Sequence, residues 1–239
     1  GHPRQVVHQT REHALALVNA ALELSPADAM ALAMRGEAVL SLAAARHATP
    51  PEAELERLEA DLDLAVELMP GSDYAFWARG LFAVHGRPDH AAAARDAARV
   101  LQLGPAYAPG FELEGLVHLL GGDAERASRL FGRAVALSEA DPILPYRLFL
   151  RAVARLVAGD TRDAARSIER AIQLRPNEWP FHRLLGLCHE RSGDEPAAQA
   201  AEARAAKIGR RPSILAMRPP LPPAEGALLD RLQPGRAAA

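Results

Sequence analysis

An alanine-centred apolar stretch closed by proline returns along this chain. It reads Ala21-Leu22-Glu23-Leu24-Ser25-Pro26, Ala65-Val66-Glu67-Leu68-Met69-Pro70, Val100-Leu101-Gln102-Leu103-Gly104-Pro105 and Ala171-Ile172-Gln173-Leu174-Arg175-Pro176. A further copy, Ala134-Val135-Ala136-Leu137-Ser138-Glu139, keeps the apolar spacing and delays its proline to Pro142. An alanine-rich helical segment precedes each copy. Another helix follows each, with a small residue near its middle: Gly36, Gly80, Gly115, Ala152 and Gly186. Beyond a longer first interval these small residues stand about 34 residues apart, which predicts an internal repeat of two helices per unit and an all-α fold.

The turns repeat as well. Gly86-Arg87-Pro88-Asp89, Gly122-Asp123, Gly159-Asp160 and Gly193-Asp194 all fall between the two helices of a unit. Glycine there permits the left-handed residue that ends one helix, and aspartate caps the free N–H groups of the next. The closing proline stops the second helix before the next unit begins. A glycine inside an exposed helix costs about 1 kcal/mol relative to alanine, so its return in the first helix speaks for close backbone contact with the second. Extra length around Ala45 to Glu54, with Pro50-Pro51 inside it, reads as a lengthened turn.

At these residues the chain resembles the tetratricopeptide repeat family, over about residues 11 to 211. The resemblance implies helical hairpins stacked into a right-handed superhelical solenoid with a concave groove. The family's small residue early in the second helix matches Ala14, Ala93, Ala127, Ala164 and Ala198, whereas Leu58 departs from it. Its bulky residue four positions later is Val18, Leu62, Phe131 and Ile168, with departures at Ala97 and Glu202. The expected organisation is a repeat array over 1–211, about five and a half hairpins, followed by a tail over 212–239. That tail carries Pro219-Pro220-Leu221-Pro222-Pro223 and then Leu228, Leu229 and Leu232 at helical spacing, a segment that either folds back on the array or acts as a spacer. More narrowly, Ser138-Glu139-Ala140-Asp141-Pro142, Leu156-Val157-Ala158-Gly159-Asp160 and the tail from Leu215 are similar to the C-terminal repeat regions of some bacterial adenylate cyclases and winged-helix regulators. In those proteins the repeats sense or dock, and a separate domain acts. The opening Gly1-His2-Pro3, without methionine, fits a piece of such a longer protein.

Composition narrows the function. Of the 239 residues 49% are apolar but only 5% aromatic, which favours helices packed through small side chains. The 28 basic and 30 acidic side chains give a net charge of −2, so no overall excess draws the chain to nucleic acid. Charge is nonetheless polarised, with 9 basic and 16 acidic residues over 1–120 against 19 and 14 over 121–239. Arg95, Arg99, Arg129, Arg133, Arg166, Arg170 and Arg204 recur at equivalent places on second helices and read as a solvated face. No run approaches a membrane span, and a cytoplasmic location is expected. A single cysteine, Cys188, excludes an intrachain disulfide.

No constellation points to catalysis. His182 and His189 lie seven apart on one helix face beside Cys188, but no third ligand stands at a suitable spacing, so neither a metal nor another cofactor is expected. There is no glycine-rich phosphate loop, no Gly-x-Ser-x-Gly elbow and no His-Glu-x-x-His. The groove implied by the resemblance is instead lined by Tyr74, Trp77, Leu81, Val84, Leu116, Leu119, Tyr146, Phe149, Val153 and Leu156, with Met30, Ala33, Glu112, Arg183, Leu187 and Glu190 at matching positions. Its apolar character predicts a protein or peptide partner, an apolar helix or extended segment anchored on the aromatic residues. Alternatively the same residues pack between hairpins. A small apolar ligand, a second copy of the chain and the chain's own tail are the alternative occupants.

Overall fold

The structure, a computed structural model, describes residues 3–45 and 49–209, and among these every regular element is an α-helix. They run α1 (Pro3–Leu24), α2 (Ala29–Ala45), α3 (Glu52–Leu68), α4 (Asp73–His85), α5 (His90–Leu103), α6 (Ala108–Leu120), α7 (Ala124–Ala136), α8 (Leu144–Val157), α9 (Thr161–Leu174), α10 (Trp179–Arg191) and α11 (Glu195–Ile208). They form two compact units, with the division inside α6 between Val117 and His118. The expected tail over 212–239 lies outside the described residues.

Each helix stops and starts where its local chemistry dictates. α1, α3, α5 and α9 each end two residues before the closing proline of the repeat. Asp89, Asp123, Asp160 and Asp194 accept the backbone N–H groups of Ala92, Arg126, Asp163 and Ala197 at 2.9, 3.0, 3.1 and 3.2 Å, satisfying donors that the first turn of a helix leaves open. Gly122, Gly159 and Gly193 take φ of 83°, 86° and 75°, the left-handed conformation expected of them. Gly86 departs from that expectation with φ −86°. A Cβ on Gly86 would meet the Phe82 ring at 2.5 Å, so its glycine serves close approach to an aromatic ring.

In the first unit, α2 packs against α1, α3 and α4, and α4 packs against α3 and α5. Leu58, Leu62 and Leu113 are wholly buried there. A Cβ on Gly36 would meet the Leu62 side chain of α3 at 2.8 Å, and one on Gly80 would run into the Leu113 side chain of α6 and approach the Asp96 side chain of α5 at 3.3 Å, so these glycines make room for neighbouring side chains rather than for the expected backbone contact. In the second unit α7, α8, α9, α10 and α11 pack in succession, and Phe131, Leu148, Ile168 and Phe181 fill the interior. Each such side chain contributes about 1.5–3 kcal/mol when withdrawn from water. The delayed proline at Pro142 lengthens the turn before α8, and the added residues accommodate a buried charge. Arg147, 2% exposed, donates to Asp141 at 2.6 Å, while the Asp141 carboxylate also accepts from the Ile143 amide at 2.9 Å.

Candidate functional site

In the first unit, α4 begins at the Ser72 cap, whose hydroxyl accepts from the Ala75 amide at 3.2 Å. Tyr74 and Trp77 follow one turn apart on α4, and their rings lie 5.4 Å apart, centroid to centroid. The Tyr74 hydroxyl donates to Glu37 of α2 at 2.5 Å. Burial, reinforced by the Glu37 carboxylate, holds the Tyr74 phenol well above its ordinary range, so it stays a neutral donor. Both rings remain half-buried. On α2, Met30 and Met34 are exposed, and Met30 stands two turns from Glu37 on the same helix. The two rings thus form an aromatic pair with one fixed acid beside Tyr74.

The other residues expected to line a groove are placed differently. Leu81, Val84, Leu116, Leu119, Tyr146, Phe149, Val153 and Leu156 are all buried. Phe149, for instance, packs its ring on Phe181 of α10 at 5.9 Å. Ala33 and Leu187 are buried as well, and Glu112 is buried with a partner of its own. Tyr74 and Trp77 are therefore the members of the ten-residue set that retain exposed surface. Arg183 is paired with Glu202 of α11, which accounts for the polar residue where the repeat pattern calls for a bulky one.

A second feature escaped the reading of the sequence. Arg35, Arg79 and Arg151 each immediately precede the small residue of a first helix. Arg35 is paired with Asp61 of α3. Arg79 holds Asp96 of α5 through Nε at 2.9 Å and Nη2 at 2.7 Å, and its Nη1 donates to Asp63 of α3 at 3.0 Å. The Phe76 ring lies 5.5 Å from its guanidinium carbon. Arg79 stays protonated, its pKa raised chiefly by the hydrogen bond to Asp96. Arg79, Asp63 and Asp96 line a cavity of about 300 Å³ between α3, α4 and α5, which also includes Glu59, Arg87, Asp89 and Arg95. The repeated arginine was visible in the sequence, and so was an aspartate three residues after Leu58 and after Ala93, but each alone resembles an ordinary surface charge.

His182 and Cys188 of the histidine and cysteine cluster are both buried. His182 is buried and its Nε2 donates to the Pro176 carbonyl at 2.9 Å. Burial pushes the Cys188 thiol up to about 12, far from the thiolate a nucleophile or metal ligand requires. Among the described residues no group of three potential metal ligands comes together. Nor is any helix among them long and apolar enough to cross a membrane.

No protein-family model matches the sequence, and no curated protein matches it. Solved structures do resemble the fold. PilW, a type IV pilus biogenesis factor, superposes with a TM-score of 0.67 at 18% identity, over 85% of this chain and 88% of PilW. YrrB, a tetratricopeptide protein with an unusual peptide-binding site, gives 0.55 at 20% identity over 80% of this chain and 92% of its own. MamA from Desulfovibrio magneticus RS-1 gives 0.57 at 18% identity, over 74% of this chain and 94% of that one. The chain has the tetratricopeptide-repeat fold, a helical repeat built of hairpins.

Proposed function

We propose that this chain is a protein-interaction module whose first unit accepts an apolar helix or extended peptide segment on the surface carried by Tyr74 and Trp77 of α4. The carrying observation is the half-buried aromatic pair: two rings 5.4 Å apart, one pinned to Glu37, present rigid apolar area at little entropic cost. The peptide-binding site of YrrB, a protein of the same fold, supports the reading by analogy. The charged lining of the 300 Å³ cavity speaks against an apolar small molecule there. Within a longer bacterial regulatory protein, such a module docks a partner by mass action, in the cytoplasm and without chemistry of its own. The test is to pan a random peptide library on the chain and measure selected peptides by calorimetry. Apolar sequences that bind, and that bind about tenfold or more weakly to a folded Trp77→Ala variant, support the proposal. A library that yields no apolar binder, or binders indifferent to Trp77→Ala, overturns it.

A further inference from the structure

The repeats supply an internal comparison. Aligned on the small residues, Arg151 of α8 stands where Arg79 stands in α4; Gly132 of α7 replaces Asp63 of α3, and Ser167 of α9 replaces Asp96 of α5. The carboxylates that hold Arg79 are thus absent around Arg151. The structure shows the consequence. Arg151 Nε is buried with no hydrogen-bond partner among the described residues, and a Cβ placed on Gly132 would lie 3.8 Å from it. One turn away on the same two helices, Ser128 Oγ and Arg155 Nε are likewise buried and unbonded, Ser128 being 1% exposed. Ser128 itself replaces Glu59, which in the first unit pairs with Arg87 rather than with Arg79. The Ser167 hydroxyl does not compensate, because it donates to the Asp163 carbonyl at 2.9 Å.

The aspartates that remain are already engaged. Asp163 is bonded to Arg166, lies 3.9 Å from Arg155 Nε and interacts with Arg151 through space without a hydrogen bond, and Asp160 caps α9 while accepting from Arg155 at 3.2 Å. Arg151, Arg155 and Arg166 therefore outnumber the two acids around a face that lacks both carboxylates by which Arg79 is held. We propose that the α7–α8–α9 face binds an acidic side chain of a docking protein, whose carboxylate takes the place beside Arg151 that Asp63 and Asp96 fill beside Arg79. A guanidinium whose Nε–H has no partner is the group that holds a carboxylate in two-point geometry. This site lies in the second unit and is independent of the aromatic surface on α4.

The test follows the Arg151 Nε–H signal by nuclear magnetic resonance, in the full chain at fixed ionic strength. The probe is the peptide acetyl-Glu-Ala-Glu-Ala-Glu-amide, with its glutamine counterpart and inorganic phosphate as separate arms. The proposal expects a saturable shift with the glutamate peptide and none with the glutamine peptide. It also expects Ser167→Asp, and separately Gly132→Asp, to raise Tm and weaken peptide binding about tenfold, because each supplies the missing carboxylate in cis. No shift with the glutamate peptide, or binding unaltered in whichever of the two variants folds, overturns it. A phosphate shift at equal or lower concentration than the peptide assigns the site to phosphate and also overturns it. Trp77→Ala leaves this readout unchanged, so failure here is distinct from failure of the aromatic surface.

Discussion

Arg79 reaches Asp96 with two hydrogen bonds, from Nε and Nη2, and the two ends of the pair sit in unequal surroundings. The arginine side chain is 30% exposed, the aspartate 5%. Removing the aspartate leaves a guanidinium that water and Asp63 still serve, whereas removing the arginine strands a buried carboxylate. Arg79→Ala is therefore expected to cost about 3 kcal/mol and Asp96→Ala about 1–2 kcal/mol, with Asp96→Asn between wild type and Asp96→Ala. Urea unfolding at pH 7 measures the order.

Two glycines inside helices make opposite predictions. Gly80→Ala forces a methyl group into Leu113 and against Asp96, and is expected to destabilise by about 1–3 kcal/mol despite better helix propensity. Gly132→Ala meets nothing nearer than Arg151 Nε at 3.8 Å, and is expected to stabilise by about 0.5–1 kcal/mol. Thermal unfolding of the two variants gives the signs.

Asp141 carries a pH dependence. Burial raises its pKa, but the Ile143 amide and the Arg147 guanidinium outweigh burial and hold the carboxyl below its ordinary value. A carboxyl depressed in the folded state contributes stability that is fully present above the unfolded pKa, about 3.9, and is lost as pH falls through the folded value. The urea midpoint should therefore fall more steeply below about pH 4 in wild type than in Asp141→Asn, which lacks the titrating group.

Cys188 should be inert in the folded chain. It is 1% exposed and its thiol is pushed up to about 12. A thiol reagent at pH 8 is expected to label it only at the rate of unfolding, and at once in denaturant. Rapid labelling of the native chain contradicts its placement.

The repeat was legible because its signals are local. Asp123, Asp160 and Asp194 cap the helices that follow them, and Gly122, Gly159 and Gly193 turn left-handed, since both effects act within a few residues of the chain. Gly86 broke the pattern through contact with Phe82 in its own helix, a packing effect that the turn sequence does not express. The surface was harder to read. Tyr146 and Phe149 occupy the same repeat positions as Tyr74 and Trp77, yet they are buried, because exposure at a given repeat position depends on how neighbouring side chains fill the space beside it. The missing partners of Arg151 emerge only when Arg79 is seen with Asp63 and Asp96, a relation between three helices.

The most direct measurement of the central claim is the emission of Trp77 in a Trp179→Phe background, titrated with the selected apolar peptides. The account predicts a saturable blue shift with the same dissociation constant that calorimetry gives, as a partner covers the half-buried indole. Calorimetric binding with unchanged Trp77 emission at saturation would contradict it.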